Sequence, residues 1–300
     1  MSAQPRISPT TAFGAACLGI SIYSLMDAVM KGLSIQSGAY AAVLWRSIIG
    51  AAGMGAIFFA RGGRWPGPAA LRLHIARAGV AGISVLLFFW GLARVPMAES
   101  VALTFLAPLI ALYLAGLFLG EKLQRAVVGG SILACIGVAV LALGEFSIHA
   151  STDHVLGAIA LLAASVSYAG SLILLRMQAQ LAAPLEVAFF TSLVLGAMLL
   201  PGAPWFAGLP APGQLPAIVA AAIFGSISAM LLAWAYAHAE AQLLSTVEYT
   251  AFVWAAILGW LVFGEAVGVY TFAGAALIIA GCLVAVRGPV APAPQTEAAA

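Results

Sequence analysis

Charge is the scarcest property of this sequence. Of its 300 residues only 7% are Asp, Glu, Lys or Arg, whereas 64% are hydrophobic. Soluble domains carry about 25% charged residues, so water is not the main solvent of a protein with this composition. The sequence excludes an ordinary soluble domain and predicts an all-α integral membrane protein.

Basic clusters and paired cysteines are also missing. No run of Lys or Arg is interleaved with aromatic residues, which excludes a nucleic-acid partner. Cys17, Cys135 and Cys282 stand in apolar segments without metal-ligand spacing, so we interpret them as small residues packed against neighbouring helices. We expect no metal site and no cofactor.

Groups of catalytic side chains are equally scarce. His149, Asp153 and His154 form the one His/Asp group, and their H-x-x-x-D spacing differs from the H-x-x-x-x-D of lipid acyltransferases. A membrane enzyme is therefore a weak alternative, and we expect no catalytic residues.

The apolar residues form ten long segments. Each has roughly 20 residues, the length of a helix that crosses the hydrocarbon core, and Gly, Pro or charged residues separate them. Spanning strands are excluded because barrel strands alternate polar with apolar residues, whereas these runs are continuous. The predicted spans are Thr11–Met30, Gly38–Ala60, Leu71–Leu92, Ala98–Leu119, Ala126–Gly144, Val155–Arg176, Leu185–Leu200, Gln214–Tyr236, Gln242–Phe263 and Val267–Val286.

The chain contains an internal repeat. Trp90–Leu123 and Trp234–Val267 match without a gap at an offset of 144, and the offset is 145 in the first span of each half, where Tyr23 matches Tyr168. We therefore divide the chain into an N-terminal segment (1–10), a first five-helix repeat (11–145), a second repeat (146–287) and a disordered tail (288–300).

Basic residues predict the orientation of the spans. With the N-terminus inside, one face collects nine Lys and Arg residues and the other only Lys31 and Arg94, so both termini are expected in the cytoplasm. Five spans per repeat is an odd number, so the two repeats must cross the membrane in opposite directions. Inverted repeats of this kind are typical of secondary transporters, which bind substrate near the midplane between the halves.

The repeated residues resemble a known family. LARVPMAESVALTFLAPLIALYLAGLFLGEKL, GGSILACIGVAVLAL and its echo GAALIIAGCLVAV are similar to the EamA-type members of the drug/metabolite transporter superfamily. The resemblance implies ten helices in two inverted five-helix repeats and export of amino acids or other small metabolites. Within the family, the predicted aromatic lining is most similar to the YddG-type exporters of aromatic amino acids.

Charged residues inside the spans are the first candidates for the substrate site, because charge is costly in lipid. Asp27 and Arg46 are predicted to form an ion pair between the first two spans, either as a brace or at the substrate. Glu248 either binds a substrate ammonium, couples export to protons, or is held by a neighbouring helix.

Two matched positions differ between the repeats and mark the predicted substrate region. Thr104 matches Glu248, and Pro108 matches Phe252, so the two copies are expected to bend differently. The paired Glu121 and Glu265 end their helices and are expected to cap the helix that follows. Glu99, in the loop between the third and fourth spans, is expected to be a solvated loop charge, with a gating residue as the alternative.

Aromatic residues are predicted to line the cavity. Tyr23, Tyr168 and Tyr249 lie deep in their spans, where a hydroxyl requires a partner. Trp90 and Trp234 occupy equivalent places near helix ends, where the membrane interface is the alternative.

The predicted function is export of small metabolites, most of all amino acids with aromatic or apolar side chains, by alternating access. Another small organic solute or drug, or a channel-like facilitator, are the alternatives. We expect a multi-pass protein of the inner (plasma) membrane with the lipid bilayer and a small-molecule substrate as partners. Proton coupling and the oligomeric state, a monomer included, stay open.

Overall fold

The fold is helical throughout the part of the chain that a computed structural model describes, residues 9–119, 125–148, 151–178, 182–238 and 247–286. The helices are α1 Pro9–Ser37, α2 Ala39–Ala60, α3 Pro68–Leu92, α4 Met97–Thr104, α5 Leu106–Leu119, α6 Arg125–Ile148, α7 Thr152–Gln178, α8 Pro184–Leu199, α9 Ala203–Phe206, α10 Leu215–His238, α11 Thr250–Phe263 and α12 Val269–Val286. Short 3-10 turns at Leu200–Gly202 and Pro212–Gln214 flank α9. The predicted tail and most of the predicted N-terminal segment lie outside these ranges.

Six stretches of these helices are long and apolar enough to cross a membrane. They are Phe13–Ser37, Ala39–Ala60, Pro68–Leu92, Thr152–Leu174, Leu185–Phe206 and Pro212–Leu232. Four further apolar helices are shorter, namely Met97–Ala111, Val128–Leu141, Thr250–Phe263 and Val269–Val284. The protein is therefore a multi-pass membrane protein, with six clear spans rather than ten of equal length.

The first helix is longer than its predicted span. It continues seven residues beyond Met30 and ends at Ser37, before Gly38 with φ +82°. Lys31 was expected to mark the end of the span, but it is buried inside the helix and is only 3% exposed. Asp27 consequently lies ten residues, about 15 Å, from the end of α1, which is deeper than its predicted position.

The predicted fourth and ninth spans are each interrupted at the same place in the repeat. Phe105 forms a turn between α4 and α5, and Tyr249, 144 residues later, forms the turn that precedes α11. The interruption occurs in both copies although only the first contains a proline, Pro108. Proline is therefore not required for the interruption. The two copies were expected to bend differently, but both are interrupted at the same position.

Helices of the first half pack mainly against helices of the second half. Each main packing partner comes from the other half: α1 packs on α10, α3 on α7, α2 on α8, and α6 on α12. The Ser84 hydroxyl of α3 donates to the Ala164 carbonyl, and the Ser228 hydroxyl of α10 donates to the Gly19 carbonyl, at 2.9 and 2.8 Å. These residues match across the repeat, so one hydrogen bond between halves occurs twice.

Four glycines bring α6 and α12 into backbone contact. A Cβ on Gly274 would lie 2.7 Å from the Gly137 carbonyl oxygen, and one on Gly281 would overlap the Gly130 carbonyl oxygen. Gly130 matches Gly274 and Gly137 matches Gly281, so the contact is reciprocal and the two repeat-equivalent helices run in opposite directions. We call these four residues the glycine seam.

Candidate functional site

Two matched tyrosines lie within electrostatic range of each other, one in each half. Tyr23 is the central residue of α1, and Tyr168 lies near the middle of α7. Their side chains are 44% and 48% exposed, yet close enough to interact electrostatically. The matched aromatic side chains are thus brought near each other between the halves, whereas their role in lining a substrate cavity stays a prediction.

Asp27 and Arg46 lie on the same side of this site as Tyr23. Asp27 follows Tyr23 by one helical turn of α1, and Arg46 in α2 interacts electrostatically with both residues. The predicted direct ion pair is not formed in this structure, because no nitrogen of Arg46 lies within 4.0 Å of an Asp27 oxygen. A direct pair in another conformation stays a prediction.

Arg77 and Glu248 provide charge near the other tyrosine. Both interact electrostatically with Tyr168, and Glu248 also interacts with Tyr249. The Arg77 guanidinium donates to the Thr191 hydroxyl at 2.8 Å. Arg77 is one of the nine Lys and Arg residues that the orientation argument assigned to the cytoplasmic face. It lies nine residues inside α3, within electrostatic range of Tyr168.

The two helix interruptions meet each other. The rings of Phe105 and Tyr249 lie 5.2 Å apart, centroid to centroid, in an edge-on arrangement. The Cys282 thiol of α12 donates to the Phe105 carbonyl at 3.2 Å, so this cysteine packs at the interruption as expected. The repeat-equivalent turns therefore contact each other.

The mismatched positions surround these turns. Thr104 directs its hydroxyl to the Val101 carbonyl at 2.7 Å, and Pro108 has no N–H for the carbonyl of Thr104. Phe252 is buried, and its ring lies 6.5 Å from that of Phe272. These contacts place the residues beside the turns, whereas a role in binding substrate stays a prediction.

The two tryptophans differ in their surroundings. Trp90 lies two residues before the end of α3, where the Arg94 guanidinium sits 3.6 Å from the centre of its ring. Trp234 is 37% exposed near the end of α10. The part of both tryptophans in the cavity stays a prediction.

A polar contact joins the halves about two turns of α1 beyond Tyr23. The Lys31 ammonium donates to the Glu265 carboxylate and, at 2.8 Å, to the Val95 carbonyl. The same carboxylate accepts from the Met97 N–H at 2.7 Å. We call Lys31, Val95, Met97 and Glu265 the Lys31 junction. Glu265 therefore caps the N-terminus of α4, where a negative charge is favourable, rather than the helix that follows it.

Two glycines of α11 shape this junction. Gly264 takes φ +68° and ends the helix, and the Glu265 N–H then returns to the Gly259 carbonyl at 3.0 Å. A Cβ on Gly259 would lie 2.9 Å from a Glu265 carboxylate oxygen. The turn thus points the carboxylate back across its own helix towards Lys31. The matching Glu121 lies outside the described residues.

A second polar contact joins the halves close to the junction. Glu99 is only 3% exposed, and its carboxylate lies 3.2 Å from Nε2 of His154 in α7. The expectation of a solvated Glu99 is therefore wrong, because the start of α4 is packed against α7. His154 accordingly has a structural partner in Glu99, and His149 of the predicted His/Asp group lies outside the described residues.

Comparison with protein families identifies the chain. The model of the EamA-like transporter family matches it twice, over residues 10–143 and 155–287. The chain belongs to the EamA-like transporter family. It is a membrane transporter and not an enzyme.

Relatives of this EamA-like transporter include named exporters. It is 26% identical over 273 residues to the pseudopaline exporter CntI of Pseudomonas aeruginosa, covering 89% of this chain and 93% of the relative. It is 28% identical over 219 residues to a probable terminal-alkyne amino-acid exporter of Streptantibioticus cattleyicolor, covering 70% and 71%. A solved crystal structure shares the fold, with a TM-score of 0.62 at 24% identity over 93% of this chain and 98% of that one.

The structure shows three polar residues in contacts between the halves that the sequence did not predict, namely Lys31, Glu265 and His154. Lys31 and Glu265 were assigned to different helix ends, and His154 was considered only in a catalytic group. The pairings link positions more than 50 residues apart, so no local pattern could predict them. The repeat gave one usable signal, because Lys31 and Glu265 each have a polar counterpart, Arg176 and Glu121.

Proposed function

We propose that this EamA-like transporter exports small metabolites, chiefly amino acids with aromatic or apolar side chains, by alternating access between its two halves. The observation that carries the proposal is the pair Tyr23 and Tyr168, which occupy matched positions in α1 and α7 and lie within electrostatic range of each other. Aromatic walls favour an apolar or aromatic side chain on the substrate.

Charge of both signs beside the tyrosines supports an amphipathic substrate. Asp27 and Arg46 lie beside Tyr23, while Arg77 and Glu248 lie beside Tyr168. Such groups suit a molecule with an ammonium and a carboxylate. The relatives named as exporters of pseudopaline and of a terminal-alkyne amino acid support the same class of substrate.

The proposed topology has ten spans in two inverted repeats. α4 and α5 together cover 97–119 across the turn at Phe105, which is long enough to cross the hydrocarbon core with the two parts counted as one span. The antiparallel contact of α6 with α12 supports inversion. The excess of Lys and Arg on one face supports cytoplasmic termini in an inner membrane, which assigns the Lys31 junction to the external face.

Alternating access requires one end of the site to close while the other opens. The Lys31 junction supplies contacts of the kind expected at a closed external end, because it joins α1, the start of α4 and the end of α11. Polar contacts are suited to this role because water can hydrogen-bond the separated groups when the end opens. An apolar contact would instead expose hydrophobic surface to water.

The test is transport by purified protein in liposomes. A panel of radiolabelled amino acids is supplied with and without a pH gradient, and counterflow is measured after preloading with the unlabelled compound. We expect saturable counterflow, fastest for aromatic and apolar amino acids. Movement of another solute or drug, with no amino acid moving, would contradict the substrate class while leaving the transporter intact.

Two refinements use the same liposomes. A channel-like facilitator would give flux without saturation or counterflow, and a selective pore requires a ring of charged or carbonyl groups that is not observed among the described residues. Proton coupling is tested with Glu248→Gln. A variant that keeps both its rate and its pH profile excludes Glu248 from binding charge and from coupling.

A further inference from the structure

Two buried opposite charges lie near each other in the first half without a direct contact. Asp27 is 5% exposed, and its Oδ1 has no hydrogen-bond partner. The Nε of Arg46 is likewise buried without a partner. Each nevertheless lies within electrostatic range of the other. Buried polar atoms are almost always hydrogen-bonded, so two unsatisfied atoms at one place require an explanation.

Arg46 is held away from Asp27 by its other neighbours. Its guanidinium contacts the sulfur of Met26 at 3.2 Å and lies 5.7 Å from the ring centre of Phe89. Gly225 of α10 lies close by, since a Cβ there would be 3.3 Å from the Met26 sulfur and 3.8 Å from Nη1 of Arg46. A thioether sulfur is a weak acceptor and a poor substitute for a carboxylate. The guanidinium is thus positioned, but its charge is not neutralised by direct contact.

A purely structural role for Asp27 and Arg46, as an ion pair that braces two helices, does not fit this arrangement. An interhelical ion pair gains its energy from direct hydrogen bonds between the charges, and keeping them apart in a buried place forfeits that gain while retaining the desolvation cost. Charged residues retained inside a membrane protein at such cost mark functional sites. The gap between the charges is therefore interpreted as room for a ligand.

The chemistry of that ligand follows from the charges. We infer that Asp27 and Arg46 bind the two ends of a zwitterionic head group, the carboxylate of Asp27 receiving an α-ammonium and the Arg46 guanidinium an α-carboxylate. The ammonium and carboxylate of an α-amino acid, each hydrogen-bonded at about 2.8 Å, span a gap of roughly 6–8 Å between the protein groups. Tyr23, one turn from Asp27, then lies where the substrate side chain begins.

This assignment selects between two carboxylates. Glu248 is the alternative for the ammonium, but it lies beside Tyr168 and Tyr249 in the other half. Asp27 and Arg46 have opposite charges on neighbouring helices of one half and interact with each other. The inference rests on the proposed export of amino acids and adds which residues recognise the head group.

The experiment measures equilibrium binding to the purified protein in detergent, so that a variant unable to change conformation still reports. The ligands are L-phenylalanine, 3-phenylpropionate, which lacks the ammonium, and L-phenylalanine methyl ester, which lacks the carboxylate. Radiolabelled phenylalanine is the probe, and radiolabelled phenylpropionate replaces it for variants that no longer bind phenylalanine. Wild type is expected to prefer phenylalanine to either analogue by at least about tenfold.

Each variant is expected to lose one preference. Asp27→Asn should bind phenylpropionate as well as phenylalanine, and Arg46→Gln should bind the methyl ester as well as phenylalanine. Glu248→Gln removes the alternative carboxylate and should keep the preference for phenylalanine over phenylpropionate. The matched controls Asp153→Asn and Arg61→Gln carry the same chemical changes at exposed positions outside the site and should keep both preferences. Asp27→Glu and Arg46→Lys, which keep the charges, should restore part of the preference if the neutral variants do not fold.

The contradicting results are distinct. If Asp27→Asn keeps a tenfold preference for phenylalanine over phenylpropionate, or Glu248→Gln loses it, the head-group assignment is wrong although amino acids bind. If wild type binds no amino acid in this assay or in a wider amino-acid panel, the proposed function fails together with the assignment.

Discussion

The glycine seam and the Lys31 junction both join the two halves, but they do so with opposite chemistry. At the seam, Gly137 and Gly274 bring backbone atoms together without a charged group, and the contact is reciprocal. At the junction, Lys31 and Glu265 are joined by charged hydrogen bonds that also reach Val95 and Met97.

The difference indicates which contact can separate. Close packing of small residues depends on many dispersion contacts that are all lost when the helices part, and small residues at helix interfaces are the usual means of stable association in membranes. Charged groups that separate can instead be hydrated. We therefore expect the seam to stay closed in every state and the junction to open and close.

The largest effect is expected at the seam. In Gly281→Ala the new Cβ would overlap the Gly130 carbonyl oxygen, and a backbone cannot yield as a flexible side chain does. We expect a loss of about 3 kcal/mol in the free energy of unfolding, measured as a lower melting temperature in detergent. Gly129→Ala is the matched control, because a Cβ at Gly129 meets nothing within 4 Å. Equal melting temperatures for the two variants would show that the seam is not tightly packed.

The next effect is expected at the junction and concerns conformation more than stability. Lys31→Met leaves the Glu265 carboxylate without its cation, at a cost of about 2 kcal/mol, below the 3–5 kcal/mol of a fully buried pair because Glu265 is partly exposed. A cost of this size shifts the open population by roughly 30-fold.

The measurement is labelling of Ala98→Cys from outside by a membrane-impermeant thiol reagent, in a protein whose three native cysteines are replaced. Ala98 is buried beside the junction and should label faster in Lys31→Met. Arg94→Met, which removes a cation that stacks on Trp90, should leave labelling unchanged. Unchanged labelling in Lys31→Met would mean that the charges do not hold this end closed.

A smaller effect of the same direction is expected from Gly259→Ala. Its Cβ would approach a Glu265 carboxylate oxygen to 2.9 Å and the Met97 Cβ to 3.3 Å, so the carboxylate must shift, at a cost of about 1 kcal/mol. Ala98→Cys should label several-fold faster. Gly268→Ala is the control, since its nearest neighbour, the Thr271 hydroxyl, is at 3.7 Å. A labelling rate equal to that of the control contradicts a steric role for Gly259.

The smallest effect tests the symmetry itself. Ser84→Ala and Ser228→Ala each remove one of two matched hydrogen bonds between halves, and each should cost about 0.6 kcal/mol. The two melting temperatures should fall by similar amounts, and the double variant by their sum. A large difference between the two would show that the matched bonds are not equivalent in energy.

Much of the fold follows from the sequence because its signals are local or periodic. Long apolar runs mark the helices, and the offset of 144 correctly relates Gly130 to Gly274 and Ser84 to Ser228. The offset does not reveal that the matched residues also touch across the halves, since that depends on how the helices pack.

The site was less predictable, and the errors have a common cause. Lys31, Glu99 and Arg77 were assigned to ends or faces because charge is normally excluded from lipid. In the structure, partners from distant helices compensate their burial: the Glu265 carboxylate, His154 and the Thr191 hydroxyl. Tyr23 and Tyr168 could be predicted as a matched pair because the repeat aligns their positions and both lie in mid-helix.

The most direct test of the account compares movement at the two contacts in one protein. Spin labels at Arg94 and Val267 report across the Lys31 junction, and labels at Val128 and Val284 report across the glycine seam, with all four positions exposed. Distances in liposomes are measured by pulsed electron paramagnetic resonance with and without Lys31→Met. We predict that the junction distribution extends to longer distances in the variant while the seam distribution is unchanged. A seam that moves as much as the junction, or a junction that does not move, would contradict the account.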